Sequence, residues 1–350
     1  MTLKRKSFHA SPSQISKYPQ LRHDLEPFHV YDRKGRLYYG LNDPLNLGDE
    51  QLLISSDLYY LLQFMDGEHS QDEIQAEYLS KFGNRIEAQR YFNLLKKLDS
   101  CLLMMNDRFR HTLRQAHTEY KKTDTRLPAC SEHSYPEDPQ ELTQFMNELT
   151  RNAQSHLELA TQLVNRTVKA AVAPHIDVRK GGKMYAQVYK LLALSKPADL
   201  YVILGTGHMT MQMPFALTRK HFQTPLAKVK TDWEMADHIA RQCEFDAYAD
   251  EFAHRNEHSI EFQTLFLSHF FEPTFKILPV LCSFQHQQDD ETEKMLKSFT
   301  RTLNNVLSQF KGSICVIASV DLAHVGLAYG DTFKPDPRFL ADVERSDKNT

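Results

Sequence analysis

The sequence predicts an α/β fold, with a central sheet and flanking helices, preceded by a small α+β domain. In the second half of the chain, apolar strand-like runs alternate with helical stretches, which indicates a sheet covered by helices. These runs span 168–174, 199–204, 275–281 and 313–319. A different order of elements precedes these apolar runs. Between the two parts of the chain lies a polar, basic segment that starts with a helical pattern. We therefore expect a first domain over 25–107, a linker over 108–133 and an α/β domain over 134–350.

The first domain has the pattern of a winged helix. HVYD and RLYYGL flank the turn RKGR, which predicts a hairpin, and LYYLLQFMDG predicts a helix that Gly67 ends. Ser70 and Glu73 have the spacing of a capping box, so a second helix begins there. IEAQRYFNLLKKL predicts a third helix and CLLMM a closing strand. This order of strands, helices and closing strand is typical of a winged helix.

Charge decides which partner this domain would bind. From Asp24 to Asp107 there are 15 acidic and 8 basic residues, a net charge of −7, which would repel a phosphate backbone. We therefore expect no nucleic-acid partner. The stretch LNDPLNLGDEQLLISSDLYYLLQFMDGEHSQDEI, with the later LLKKLDSCLLM, resembles the PqqD-like fold, which implies a peptide or protein partner. The alternative is a small accessory domain that packs on the larger one.

Composition bounds the remaining classes of function. The formal charge of −3 over 350 residues favours no polyanionic partner. No secretory signal pattern opens the chain, and no stretch approaches the roughly eighteen apolar residues of a membrane span. The five cysteines contain no C-x-x-C pair, which argues against both a disulfide framework and a cysteine zinc site. We expect a soluble, cytoplasmic protein that does not bind membranes.

Three histidines follow the ends of predicted strands. VKAAVAPH ends at His175, ADLYVILGTGH at His208 and SICVIASVDLAH at His324. In open α/β sheets, residues far apart in sequence meet beyond the carboxyl ends of the strands, where ligands bind. The three imidazoles together therefore predict a metal site. For any one of them alone, the alternative is a neutral histidine that caps the end of the sheet.

Carboxylates accompany these histidines. Asp177 lies two residues after His175. It either orients the ring of His175, which would then be a metal ligand, or caps the next turn. Asp321 precedes His324, and either residue of that pair is a candidate ligand or an orienting partner. Neither alternative is decided by the sequence.

The stretch RNEHSIEFQTLFL predicts a helix that points into the same crevice. Asn256 is the expected cap, and Glu257 and His258 lie in the first turn, which suits general acid/base catalysis. Alternatively, Glu257 and Glu261 only complement the helix dipole. That structural account explains His258 less well, because a cation is disfavoured at a helix N-terminus.

Five motifs of the chain occur in the same order as in the MEMO1 family: PHIDVRKGG, LGTGH, the D-x-E of TDWE, EHSIEFQ and SVDLAHVGLAYG. The match runs from about residue 134 to residue 331 and is closest to the bacterial branch, the AmmeMemoRadiSam system protein B. The resemblance implies a fold like that of class III extradiol dioxygenases, which use non-haem iron(II). The family's name also implies AMMECR1-like or radical SAM proteins as partners.

Residue by residue, His175 and His208 match the two metal-binding histidines of the family, and His258 matches the acid/base histidine of the dioxygenases. The third ligand departs from the family, because Ala323 stands where the human member has a cysteine. Asp321 would complete a two-histidine, one-carboxylate set that suits iron(II), with other divalent metals as alternatives. Family members also continue beyond the Y-G motif, so we expect part of the domain to be missing or replaced.

Two functions from different classes follow. The first is a non-haem iron(II) oxidoreductase that binds an oxygen-bearing substrate and activates O₂, with His258 moving a proton. The second is a non-catalytic metal- or partner-binding scaffold that recruits a peptide or protein through its N-terminal domain. The substrate is not evident from the sequence.

Overall fold

The computed structural model describes residues 15–48, 52–153, 157–283, 289–329 and 331–349. The chain divides into two units, of which the first ends at Thr123 and the second begins at Asp124. Among the described residues, no helix is both long and apolar enough to cross a bilayer.

The first unit contains a small antiparallel sheet and four helices in its described part. The strands are β1 (Glu26–Tyr31), β2 (Leu37–Asn42) and β3 (Leu53–Ser55), in the order β1-β2-β3. The helices are α1 (Ser56–Leu62), α2 (Gln71–Phe82), α3 (Ala88–Ser100) and α4 (Asp107–Lys122). The predicted hairpin is thus β1 and β2, and the predicted capping box opens α2, where Ser70 and Glu73 exchange hydrogen bonds.

One element of this unit differs from the prediction. Within the described residues, the segment CLLMM forms a single antiparallel bridge, between Met104 and Leu21, and no strand. The helical pattern at the start of the predicted linker is the helix α4, which buries Phe109 and Ala116 on one face. These apolar positions are sparse among charged residues, so the segment looks like a linker in the sequence although one face of it packs.

The second unit is built on an eight-stranded mixed sheet. Its strands are β4 (Thr125–Arg126), β5 (Ala170–Ala173), β6 (Leu200–Thr206), β7 (Phe215–Leu217), β8 (His221–Gln223), β9 (Lys228–Thr231), β10 (Lys276–Cys282) and β11 (Ile314–Ser319). Its helices are α5 (Pro139–Asn152), α6 (Leu157–Leu163), α7 (Val178–Leu192), α8 (Trp233–Ala240), α9 (His258–Phe270), α10 (Asp290–Ser308) and α11 (Pro337–Lys348). The order is β4-β8-β9-β10-β6-β11-β5, with β7 antiparallel to β10. The four apolar runs of the sequence are β5, β6, β10 and β11, which confirms the predicted central sheet.

Helices cover both faces of this sheet, and the central strand β6 shows why its sequence is apolar throughout. Tyr201 and Ile203 face one core with α7 and α9, whereas Leu200 and Val202 face a second core with α8 and α10. Successive side chains of a strand point to opposite faces, so a strand covered on both sides needs apolar residues at every position. The predicted α/β architecture with flanking helices is confirmed.

Strands β5, β11, β6 and β10 are adjacent and parallel, so their carboxyl ends meet at one edge of the sheet. Ala173 pairs with Ser319, and Ser319 lies opposite Gly205. The loops that carry His175, His208 and Asp321 therefore start from the same edge.

Candidate metal centre

Three histidines converge beyond these strand ends. Within the described residues, a group of potential ligands whose donor atoms all lie within 4.8 Å of one another is formed by His175, His208 and His258. The ring centroids of His175 and His208 are 5.1 Å apart, with an interplanar angle of 89°. The geometry thus brings the two histidines that follow strands together with the one that begins α9.

His175 is held by the neighbouring strand β11. Its Nδ1 lies 3.0 Å from the carbonyl oxygen of Ser319, and its backbone N–H donates to Oδ1 of Asp321 at 2.8 Å. Because a carbonyl oxygen only accepts, Nδ1 carries the hydrogen and Nε2 is the ring atom that would bind a metal. The residue is buried, so this orientation is shielded from solvent.

His208 is held by Glu257 in a similar way. The Glu257 carboxylate accepts from the backbone N–H of His208 at 2.9 Å and from its Nδ1 at 3.0 Å, and it also accepts from the backbone N–H of Ser259 at 2.9 Å. Although burial raises the pKa of Glu257, the hydrogen bonds and the nearby His208 and His258 lower it to about 2. Glu257 is therefore an ionised acceptor that orients His208 with Nε2 as its metal-binding atom.

Glu257 also caps α9. The sequence predicts Asn256 as the cap, but the structure places Glu257 at that position, with its side chain bound to Ser259. A carboxylate is favoured there because the first backbone N–H groups of a helix have no partner within the helix. The Glu257 side chain thus joins the start of α9 to the loop after β6. This is a structural role, beside the catalytic role that the sequence predicts.

His258 lies beside both of the other histidines and is nearly perpendicular to His175, with ring centroids 5.7 Å apart and an interplanar angle of 78°. Its ring stacks on His208, with centroids 4.5 Å apart and an interplanar angle of 25°. A metal lies near the plane of each imidazole that binds it, about 2 Å from the nitrogen, so two stacked rings share one ion less readily than two perpendicular rings. His175 could therefore share an ion with either of the other two. His208 is the better partner, because Glu257 holds its Nδ1 at 3.0 Å, whereas Nδ1 of His258 lies 3.4 Å from the same carboxylate. Burial lowers the pKa of His258, although Glu257 raises it, which favours the neutral form of the ring.

Asp321 and His324 lie on the other side of His175. Oδ2 of Asp321 is 3.7 Å from Nε2 of His175 and 3.6 Å from Nε2 of His324. Asp321 is therefore next to the ring atom of His175 that would bind a metal, while its Oδ1 holds the backbone of that residue. His324 is exposed and packs edge-on against Tyr329. Neither belongs to the group of three, and Ala323 is exposed beside them.

Asp177 caps a helix. Its side chain accepts from the backbone N–H of Arg179 at 2.9 Å and from Oγ of Ser134 at 2.5 Å. Of the two alternatives left open by the sequence, the cap of α7 is the one that the structure shows.

Gly205, the first glycine of LGTGH, allows α9 to approach the end of β6. A Cβ atom on Gly205 would lie 2.5 Å from Cγ1 of Ile260 and 2.7 Å from Oγ of Ser259, closer than side chains pack. This close approach brings the first turn of α9, with Glu257 and His258, against the loop that carries His208.

A buried cluster behind α9 was missed by the sequence prediction. Arg126 donates to the carboxylate of Glu261 and to the backbone carbonyls of His254 and Glu257, at 3.0 and 2.7 Å for the carbonyls. Tyr135 donates to the same carboxylate. Burial raises the pKa of Glu261, but the charge of Arg126 and these hydrogen bonds hold it below its usual value. Arg126 thus fixes the start of α9 from inside the predicted linker.

One signal in the sequence pointed to this cluster. Glu261 stands between the apolar residues Ile260 and Phe262, and a buried carboxylate requires a cation or several donors. The sequence does not say which of the many arginines and lysines supplies the charge, because Arg126 is 135 residues away from Glu261.

The chain is similar to a known family of proteins. The profile of a family described as "Memo-like protein" matches residues 126–349. A MEMO1 family protein of Aquifex aeolicus is 31% identical over 300 residues, which cover 85% of this chain and 75% of that protein. MEMO1 family proteins of Methanosarcina mazei and Methanosarcina acetivorans are 35% and 33% identical over 201 residues, 57% of this chain and 68% of each relative.

Proposed function

The chain belongs to the MEMO1 family, and from that premise we propose that its second unit binds a divalent metal ion, preferentially iron(II), through His175 and His208. The observation that carries this proposal is the pair of nearly perpendicular rings, in which each Nδ1 donates a hydrogen bond to a fixed acceptor. Neutral imidazoles oriented by a carbonyl or a carboxylate are typical metal ligands. Nitrogen ligands with a nearby carboxylate suit iron(II) and related divalent metals.

We further propose that the site catalyses an oxidation of an oxygen-bearing substrate. A bound iron(II) would supply the chemistry of O₂ activation. His258 would accept a proton from the substrate at Nε2, because its Nδ1 faces Oε1 of Glu257 at 3.4 Å. Glu257 stays ionised and holds His208 and the start of α9 in place.

Calorimetric titration of the metal-free protein with iron(II) under anaerobic conditions tests the proposal. We expect about one ion to bind per chain, and binding should weaken as the pH falls, because the ligands must be neutral imidazoles. Magnesium, which prefers oxygen ligands, is the control and should not compete. No heat of binding with iron(II) at neutral pH would contradict the proposal.

The third ligand is proposed to be Asp321, and its replacement is compared with that of Cys282. Asp321→Ala should weaken metal binding more than Cys282→Ser, because burial raises the pKa of Cys282 to about 12 and keeps the thiol protonated. Asp321→Asn separates two roles, since it keeps Oδ1 as an acceptor for the His175 backbone but removes the charge. Equal affinities of the Ala and Ser variants, measured by calorimetry, would place Asp321 in a turn role only.

His258 is proposed to move a proton and not to bind the metal. His258→Gln should therefore keep metal occupancy, measured by elemental analysis, while any turnover found for the wild-type protein falls by roughly 100-fold or more. The reason is that its ring stacks on His208, so the two rings do not readily share one ion, and that Glu257 holds Nδ1 of His208 more closely than Nδ1 of His258. Loss of the metal from this variant would instead make His258 a ligand.

A second candidate function is recruitment of a peptide or protein partner by the first unit. Two observations support this candidate. In the described part of the sheet, β1 pairs with β2 alone, so the other edge of β1 is open, and Tyr31 at the end of β1 is exposed. An extended peptide adds to such an edge through backbone hydrogen bonds. Because the stretch from Asp24 to Asp107 has a net charge of −7, the full-length protein should leave a short DNA duplex unshifted at low salt. Salt-sensitive retardation of the duplex would contradict this assignment.

A further inference from the structure

Helix α9 buries several polar side chains along with its apolar ones. Ser259 and Gln263 are fully buried, one turn apart, on the face toward the strand ends. Buried polar groups remain in a core when hydrogen bonds replace those to water, so each of their polar atoms has to be accounted for.

The amide of Gln263 joins three elements. Its Nε2 donates to the carbonyl oxygen of Pro174 and to Oγ of Ser319, both at 2.8 Å, and Oε1 accepts from the hydroxyl of Tyr189 at 2.8 Å. Pro174 is the residue before His175, and Ser319 is the last residue of β11. One side chain thus holds the carboxyl ends of both β5 and β11.

Ser319 connects this amide to the imidazole of His175. Its Oγ donates to the carbonyl oxygen of Ser259 at 2.6 Å, and its own carbonyl oxygen accepts from Nδ1 of His175 at 3.0 Å. The acceptor that sets the tautomer of His175 therefore belongs to a residue that α9 holds through Gln263 and Ser259.

We propose that Gln263 is a positioning residue for His175. It fixes the spacing of the β5 and β11 ends, so that the Ser319 carbonyl stays in line with Nδ1 and Nε2 is presented to the metal. This inference rests on the proposed metal binding and extends it to a residue that touches no metal. If Gln263 had only a structural role, it would provide hydrogen bonds to buried polar groups, and its replacement would leave the tautomer of His175 unchanged.

Iron(II) titration of two variants tests the inference. Gln263→Met keeps the length of the side chain but removes its hydrogen bonds, and it should weaken anaerobic iron(II) binding by roughly 10- to 100-fold, as is typical when the partners of metal ligands are changed. Tyr189→Phe is the matched control, because it removes a hydrogen bond from the same amide on the side away from the strand ends. Its affinity should stay within about 3-fold of the wild type.

Ser319→Ala is a milder variant for the case that Gln263→Met does not fold. It removes Oγ but keeps the carbonyl that accepts from His175, so its loss of affinity should fall between those of the other two variants. Wild-type affinity in folded Gln263→Met and Ser319→Ala proteins would overturn the inference.

The tautomer of His175 gives a second readout that needs no metal. In ¹⁵N-histidine spectra of the metal-free protein, His175, identified by the signal lost in His175→Gln, should carry its hydrogen on Nδ1. In Gln263→Met, or in Ser319→Ala, the Nε2–H tautomer should appear, whereas Tyr189→Phe should match the wild type. An unchanged tautomer in the first two variants overturns the inference. Failure of the wild type to bind iron(II) contradicts only the proposed function, since the spectra still decide whether Gln263 positions His175.

Discussion

Replacement of His175 or His208 by alanine is expected to weaken iron(II) binding by more than about 100-fold, beyond the loss typical of changes around the ligands. Each imidazole already has its Nδ1 bound to an acceptor, at 3.0 Å in both cases, and so presents a single metal-binding atom. Removal of either leaves one imidazole and a carboxylate, which is too few protein ligands to compete with water. Anaerobic calorimetry and metal analysis after dialysis measure the effect.

His238→Ala is the matched control for these variants. It changes the same residue type in the same unit, but His238 is exposed on α8 and bonds only to Gln242 among the described contacts. Its affinity for iron(II) should equal that of the wild type. If the double variant of His175 and His208 kept stoichiometric binding, the ligands would lie elsewhere.

The second large effect is a loss of stability as the pH falls, caused by His254. This residue is fully buried between β7 and Arg126, where its Nε2 donates to the carbonyl oxygen of Ala216 at 3.0 Å. Its Nδ1 makes no hydrogen bond in the described structure, so protonation would add a buried N–H without an acceptor. Burial accordingly lowers the pKa of His254 to about 4.

The direction of the pH dependence follows from that pKa. Above about pH 6.5, which is the usual pKa of histidine, His254 is neutral in both the folded and the unfolded chain. As the pH falls below that value, the unfolded chain gains a proton that the folded chain does not, and the free energy of unfolding decreases until the folded pKa is reached. Between pH 7.5 and 5, this residue alone should remove about 2 kcal/mol.

Urea unfolding at the two pH values, followed by fluorescence, measures this loss. The chain has one tryptophan, Trp233, which lies in the second unit with His254, so the signal reports that unit. His254→Gln keeps a side-chain N–H for the Ala216 carbonyl but does not titrate, and its stability should depend less on pH by about 2 kcal/mol. The same pH dependence in the variant and the wild type would show that His254 is not responsible.

The sequence was sufficient to predict the part of this site that depends on local pattern. The apolar runs that became β5, β6, β10 and β11 are apolar at nearly every position because the sheet is covered on both faces. Parallel strands bring their carboxyl ends to one edge, so the positions of His175 and His208 just past two of these runs predicted that the two would meet. The same reasoning also predicted His324 in the metal site, but the structure leaves it outside the group of three histidines, and Oδ2 of Asp321 lies 3.7 Å from Nε2 of His175 and 3.6 Å from Nε2 of His324.

Local pattern could not assign roles to the helix that enters the site. EHSIEFQ predicts a helix start, but the cap falls on Glu257 and not on Asn256, because the Glu257 carboxylate also reaches the backbone and ring of His208. The polar residue Gln263 looks like an exposed helix position in the sequence. Only the packed structure shows that it is buried against two strand ends.

What the sequence by itself determined is the α/β architecture and the edge of the sheet where histidines gather, since both follow from the spacing of apolar residues along the chain. Only the tertiary structure decided which side chains hold those histidines. Arg126 lies in a segment that looks like a polar linker, yet its guanidinium is buried against Glu261, 135 residues later. A buried charge is stable only where its partner is also buried, and that pairing is set by how distant segments pack, which no local pattern records.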